Sequence, residues 1–588
     1  PAVSSRGVHR FAVATALAAY LLIVLGGLVH GTGSSGTCRD WPLCVATASP
    51  GAAGGVALEN GHRVAAALVG VLTLALALAL GRARHRVPAL PRVGWLAVGL
   101  VAAQGALGGL GVVFRLPAGV PALHTGLSLV FFVVLFYLAT QTAAGAEARQ
   151  EVAPAARRLA LVAAIAVLFQ ALLGAIVRAS GAALACPDLP LCRGALWPDA
   201  HVTVQLAVLH RLGAVAAAVL VFASAIRAFR ATAGRSWLRA LVLATPVLAA
   251  AQISLGVRSV QTFLDLAVVQ AHLAVGAALL AASWAVYLLS APARTAARTG
   301  TLAARARALV ELSKPRITAL VVVTFAGGLW LAPAAVGGWR RTAALAGTVL
   351  IVAAANALNM YLERDIDGRM ARTRRRPLPE GRLSPELALG FAVSLAGLAV
   401  PLLLVGANLL TAALGVFAFA SYVWAYTPLK RVSSVALLVG AVPGAMPPLM
   451  GWTTATGHLD LPGLALFAIL FVWQIPHFLA IAVYRVADYT EAGFKVLPQT
   501  QGLAVTRWHI LVSTVLLALV SLLPFTAGVA GPLYLICAVL AGGWFLATAL
   551  AGFRAPLPRP WARRLFVVSL VYLTALFAAL ATGHALGC

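Results

Sequence analysis

An all-α integral membrane protein is predicted by three observations. Hydrophobic residues make up 61% of the 588 and charged residues 10%, with mean hydropathy +0.94, a composition that excludes an ordinary soluble domain. Apolar windows of the ~20 residues that cross a bilayer recur along the whole chain, seventeen in all. The basic residues behind the net charge of +28 collect in alternate loops, as cytoplasmic loops do under the positive-inside rule. That placement accounts for the charge without nucleic acid, so no nucleic-acid partner is expected. The expected location is the cell (inner or plasma) membrane, multi-pass.

Eight candidate spans come first, near 11–29, 64–80, 93–113, 121–141, 157–177, 208–228, 238–257 and 268–290. Arg6 and Arg10 precede the first, and further arginines follow the second, fourth, sixth and eighth. This puts the N-terminus in the cytoplasm and loops 30–61 and 178–207 outside. The first span runs on into motif-bearing sequence, so it is not read as a cleaved signal peptide. The two outward loops hold Cys38, Cys44, Cys186 and Cys192, a pair six residues apart in each. On an oxidising side such pairs predict disulfides, with thiolate metal ligation as the competing reading. Cys537 and Cys588 have no evident partner.

An internal repeat links these spans. Cys38 and Cys44 recur as Cys186 and Cys192, His62-Arg63 as His210-Arg211, Gln104 as Gln252 and His124 as His272, always 148 residues on. A duplicated four-helix unit follows, predicting two pseudo-symmetric four-helix bundles, 1–148 and 149–290. One histidine from each of two helices can clamp a haem iron from both faces, which pairs His62 with His124 and His210 with His272. Glu59 stands three residues before His62 and on its helix face; the matching position is Ala207. With GTGSSGTCRDWPLC and ENGHR these features make residues 1–290 resemble haem A synthase. The resemblance implies that a methyl group of haem O is oxidised to the formyl group of haem A, with a bound haem b. It also implies four haem-iron ligands at His62, His124, His210 and His272, and a catalytic acid at Glu59. His30 departs from the family, where arginine is common; the second repeat has Arg178 there. Only the first pocket carries the acid, so it is expected to bind haem O for oxidation, leaving the second for a resident haem b.

Residues 291–307 read as a basic cytoplasmic linker. Nine further spans are expected in 308–588, near 317–335, 343–362, 387–405, 408–426, 433–451, 463–483, 507–527, 531–552 and 565–585, which would leave the C-terminus outside. The most informative stretch is NALNMYLERDIDGRMARTRRRPLPEGR, 356–382. The chain has 16 acidic residues, and Glu363, Asp365 and Asp367 fall within five positions of one another. Asn359, Glu363 and Asp367 recur at spacing four and share one helix face. Arginines follow. A solvated loop would explain the arginines but not the spaced acids. Together they suit a hard cation, Mg²⁺, and a phosphorylated substrate. A second polar patch, Tyr484–Lys495, contributes Asp488, and Arg372, Arg376, Lys430, Arg431, Arg485 and Lys495 are available to phosphate oxygens. His477, in an apolar helix, reads equally as a haem contact or a packing residue.

This half resembles the aromatic prenyltransferase superfamily, and within it the protohaem farnesyltransferase (haem O synthase) branch. The matching residues are LSKPRIT (312–318), 359–382, YTPLKR (426–431), PPLMGW (447–452) and WQIPHFLAIA (473–482). The resemblance implies a nine-span prenyltransferase-type helical domain that takes farnesyl diphosphate and haem B, with Mg²⁺ on Asn359, Glu363, Asp367 and Asp488. Glu363 stands where aspartate is commoner, and no aspartate follows Asp488 at spacing four. The two halves together predict a bifunctional enzyme that makes haem O and then haem A, served by an electron donor and by terminal oxidase assembly factors. The rival is a haem-bearing electron carrier fused to a prenyltransferase with a quinone-type acceptor. A transporter is disfavoured, because broken helices at matching mid-membrane positions are not evident.

Overall fold

The computed structural model describes every residue outside 1–4, 36–40, 42–52, 84–88, 115–118, 144–152, 199–200, 233–235, 291–300, 371–372 and 587–588. Two compact units divide the chain, Pro1–Ala297 and Arg298–Cys588. All long elements among the described residues are helices, and 15 are long and apolar enough to cross a membrane. The protein is a multi-pass, all-helical membrane protein.

In the first unit the helices are α1 (Ser5–Gly31), α2 (Ala53–Arg82), α3 (Leu90–Val113), α4 (Gly119–Thr142), α5 (Pro154–Ala179), α6 (Val202–Ala231), α7 (Ser236–Gln261) and α8 (Leu266–Leu289). Helices α1 to α4 pack in a closed ring, each on its neighbours, and α5 to α8 repeat that ring. The bundles meet along α1 with α8, α4 with α5, and α4 with α8. Exchanging α1 with α5 and α4 with α8 reproduces the same contacts, as a pseudo-twofold axis requires. Leu76, Leu80, Leu135 and Leu138 fill the first bundle, and Val221, Leu279 and Leu280 lie in the second. Leu17, Leu68, Val71, Val215, Val219 and Val247 are exposed, the outward apolar surface that lipid covers.

Two helices begin earlier than their hydropathy predicts. Helix α2 starts at Ala53 rather than near 64, so Glu59 is a helix residue and not the end of a loop. Helix α6 starts at Val202, where His201 accepts a hydrogen bond from the Thr203 amide. Both leading stretches are too polar to register as part of a span, and that of α6 is capped by His201. Cys186 and Cys192 form a disulfide; Cys38 and Cys44 lie outside the described residues.

The second unit opens with α9 (Leu302–Leu312), whose first turns lie inside the expected linker and are capped by Thr301. There follow α10 (Pro315–Leu331), α11 (Gly338–Asp367), α12 (Pro385–Gly406) and α13 (Leu409–Ala420). Helix α13 passes through a π-helical turn, Ser421–Tyr426, into α14 (Thr427–Leu429). The rest are α15 (Ala436–Thr456), α16 (Leu461–Tyr484), α17 (Val486–Glu491), α18 (Leu497–Thr500), α19 (Gly502–Val520), α20 (Leu523–Thr526), α21 (Pro532–Ala551) and α22 (Pro558–Leu586). Each of the nine expected spans finds a helix. Helix α10, at 17 residues, is short for a span, and α15 holds Pro443, Pro447 and Pro448. His477 on α16 stacks on Trp473 with centroids 4.5 Å apart, and its Nδ1 lies 2.7 Å from Ser569 Oγ. This is the setting of a satisfied packing residue.

Candidate active sites

The last three turns of α11 carry a ladder of oxygen side chains. Asn359, Glu363 and Asp367 are each at most 4% exposed, which a helix interior tolerates only with partners. Each has a basic one. Lys314 Nζ donates to Asn359 Oδ1 at 3.0 Å, Lys430 Nζ to Glu363 Oε1 at 2.8 Å, and Arg376 Nη1 to both Asp367 oxygens at 2.8 and 2.7 Å. Asn359 Nδ2 donates in turn to Thr427 Oγ1 at 3.1 Å, just after the π-helical turn. The Lys430 ammonium also sits 4.5 Å over the Tyr426 ring. Burial, followed by the nearby Arg376 and Lys430 charges, pushes the Lys314 ammonium down to about 7. Three hard oxygen donors and three cations thus alternate in one buried patch. The donors suit a hard dication such as Mg²⁺ and the cations suit phosphate oxygens.

The second polar patch folds against the same helix end. Ala492 and Phe494 pack on Ile366 and Met370, with Tyr489 beside them, and the Lys495 amide donates to the Lys430 carbonyl at 3.0 Å. Asp488, on α17, is 45% exposed at its side chain and pairs with Arg485 at 3.0 Å. Arg431 is exposed, and Arg372 lies outside the described residues. Among the described residues no three His, Cys, Asp or Glu side chains converge as a metal cluster, so the α11 ladder depends on Asn359 for its third donor. Lys314, the residue that pairs with Asn359, lies in the LSKPRIT stretch, to which motif reasoning assigns no site role. Its signal was rarity: three lysines, Lys314, Lys430 and Lys495, stand among 44 basic residues.

In the first unit each of the four histidines lies against a glycine of the neighbouring helix. A Cβ on Gly26 would sit 2.9 Å from His62 Cε1, and one on Gly174 would sit 3.0 Å from His210 Cε1. Gly108 and Gly256 stand in the same relation to His124 and His272, at 3.3 and 3.2 Å. These glycines obey the 148-residue offset, a signal already present in the sequence. The room they leave for four equivalent imidazoles fits ligands that seat a large planar group. Gln104 Nε2 donates to the His124 carbonyl at 2.7 Å, and its repeat partner Gln252 accepts at its own carbonyl from His272 Nδ1 at 3.1 Å. Glu59 is buried and paired with Arg63 at 2.7 Å. The equivalent Arg211 holds the disulfide loop, donating to the carbonyls of Cys186 and, at 2.6 Å, Asp188.

Comparison with known proteins divides the chain the same way. The UbiA prenyltransferase family model matches residues 320–571, and that of a cytochrome oxidase assembly protein family matches 53–284. A protoheme IX farnesyltransferase of Myxococcus xanthus is 51% identical over 285 residues, 48% of this chain and 97% of the relative. One from Sorangium cellulosum is 50% identical, over 45% of this chain and all of the relative. Among solved structures, a digeranylgeranylglyceryl phosphate synthase aligns with TM-score 0.42 at 16% identity, over 47% of this chain and 98% of that one. A UbiA homologue from Archaeoglobus fulgidus bound to GPP and Mg²⁺ aligns with TM-score 0.35 at 14% identity, over 47% and 99%.

Proposed function

Since the second half of the chain belongs to the protoheme IX farnesyltransferase family of UbiA prenyltransferases, and the first half matches a cytochrome oxidase assembly family, we propose that the protein is a bifunctional enzyme of haem A formation. The second unit farnesylates haem B to haem O with farnesyl diphosphate. The first oxidises the C8 methyl of haem O to the formyl of haem A, for terminal oxidase assembly. The observation that carries the reading is the buried ladder on α11, joined in one chain to two pairs of histidines. Quinone chemistry would explain the ladder but not why it is fused to a half that handles haem.

Asn359, Glu363 and Asp367 would hold Mg²⁺, with Asp488 contributing from the neighbouring patch. The metal supplies charge stabilisation to the departing diphosphate. Lys314, Lys430 and Arg376 would release their α11 partners and turn to the phosphate oxygens, so that no charge is left unpaired at any stage. Arg372 and Arg431 would add to that set. The C–O bond of the allylic diphosphate would then break with the electron pair leaving on oxygen, the π pair of a haem B vinyl group would form the new C–C bond, and the cation left on the neighbouring vinyl carbon would take up water, which loses a proton. In the first unit, His62 with His124 and His210 with His272 would ligate haem iron. Glu59 would serve the oxidation as a proton-handling group beside His62, taking up protons released from the methyl carbon, with the oxidant, the oxygen atom and the redox partner all coming from outside the chain. The N-terminus would lie in the cytoplasm and the C-terminus outside.

Expression in a host lacking haems O and A, followed by mass analysis of extracted haems, tests the reading. Both modified haems should appear. Asp367→Ala should abolish haem O and leave the haem spectrum of the first unit intact. Near wild-type farnesylation by that variant, or recovery of unmodified haem alone from the parent, would overturn the proposal. The second of these is the outcome expected of an electron carrier.

A further inference from the structure

We propose that the turn between α21 and α22 binds the headgroup of an anionic phospholipid. The turn joins Ala551 to Pro558. A groove of about 500 Å³ is lined from both helices and the turn, by Trp544, Thr548, Ala555, Trp561 and Arg564 among others. Small-molecule sites have that size, ~300–1,000 Å³, and an inorganic ion would leave most of it empty. The wall of the groove is fixed by hydrogen bonds and close packing. Trp561 Nε1 donates to the Thr548 carbonyl at 2.9 Å, and its indole takes the space that a Cβ on Gly552 would need. Arg507 Nη2 donates to the Ala555 carbonyl at 3.1 Å, with its guanidinium 5.8 Å over the Trp561 ring. Arg507 Nε is buried with no hydrogen-bond partner among the described residues.

Charge selects the occupant. Arg554 on the turn, Arg559 in the first turn of α22, and Arg563 and Arg564 in the second are all exposed. No aspartate or glutamate occurs between Glu491 and Cys588, and none of the ion pairs among the described residues includes these four arginines. They gather at the end of α22 where the helix dipole is already positive, a place that favours anions. The positive-inside rule explains basic residues at a helix end but gives no reason for a groove beside them. Apolar stripes lead away from the same end. On α21, Trp544, Leu540 and Ile536 recur at spacing four, and on α22 Arg563, Val567 and Val571 do the same; all six are exposed. An amphiphile with its negative head among the arginines and its acyl chains along the stripes matches both parts. In a bilayer that amphiphile is an anionic phospholipid, and tryptophan is the residue that sits at headgroup depth.

The test uses the full-length protein, delipidated in detergent and titrated with phosphatidylglycerol or with phosphatidylcholine of the same acyl chains. Native mass spectrometry counts the bound lipids. The first phosphatidylglycerol should bind about tenfold or more tightly than the first phosphatidylcholine. Arg564→Gln should weaken it about fivefold, and Arg559→Gln, Arg563→Gln and Arg564→Gln together about a hundredfold, at roughly a factor of five for each cation beside the headgroup. Phosphatidylcholine binding should not change. A parent that binds both lipids alike, or a triple variant that keeps the parent's preference, defeats the proposal. Should the triple variant fail to fold, the otherwise unaltered chain in vesicles decides. Phosphatidylglycerol brominated on its acyl chains should quench tryptophan fluorescence more than brominated phosphatidylcholine, and Trp544→Phe should remove most of that excess. Equal quenching by the two lipids, or an excess that survives in full, also defeats it. Displacement of the bound phosphatidylglycerol by an equal concentration of farnesyl diphosphate would overturn the lipid assignment in favour of a second prenyl diphosphate site.

Discussion

The lysines show how sparingly this chain uses a compact charge. Arginine supplies nearly all the positive-inside signal, yet both Asn359 and Glu363 are met by lysine. A single ammonium can point into a narrow buried space where a planar guanidinium fork does not fit. Removing one partner is costly because the other charge stays buried. Lys430→Met should therefore destabilise the protein by about 3 kcal/mol, the lower end for a broken buried pair because Lys430 keeps some solvent contact. Adding Glu363→Gln should recover much of that loss, as read by thermal unfolding of the purified chain. Glu59 is the counterpart in the first unit: a buried acid paired with Arg63 one turn along its own helix. Glu59→Gln should retain bound haem and accumulate haem O or a partly oxidised product. Normal haem A output from that variant would remove Glu59 from the chemistry.

At the scale of elements, the transferase site is set by where α10 crosses α15. Gly328 on α10 faces the carbonyl of Pro448, and Gly451 on α15 faces the carbonyl of Phe325, each without room for a Cβ. That backbone-to-backbone approach holds the C-terminal half of α10, the helix whose other end carries Lys314 beside Asn359. Gly451→Ala must push the helices apart, at a cost of about 1–3 kcal/mol. It should lower prenyl transfer while sparing the haem spectrum of the first unit; unchanged turnover would show that the crossing does not position the site. The π-helical turn at 421–426 acts similarly, stepping the chain so that Thr427 reaches Asn359. Neither device has a hydropathy signature.

For the whole molecule, an even number of helices in each repeat returns the chain to its starting side, so both repeats share one orientation and one pseudo-twofold axis. The proposed sidedness has a direct check. Single cysteines at Arg375 and Leu196, both exposed, should react with a membrane-impermeant thiol reagent from opposite faces of sealed vesicles. Labelling from the same face would overturn the assigned topology. On the proposed reading, haem O made on one side and oxidised near the other would have to travel within the bilayer or along protein surface.

The sequence by itself determined the membrane class, the duplication, the four histidines and the common face of Asn359, Glu363 and Asp367. All of these are periodicities along one dimension: the length of an apolar window, an offset of 148 residues, and the four-residue turn of a helix. Tertiary structure alone decided the partners. Lys314 meets Asn359 across 45 residues, Lys430 meets Glu363 across 67, and Gln170 meets His210 across 40. Such pairings depend on the crossing angle and depth of two helices, which small residues such as Gly213 and Gly451 set at a distance and no local pattern encodes.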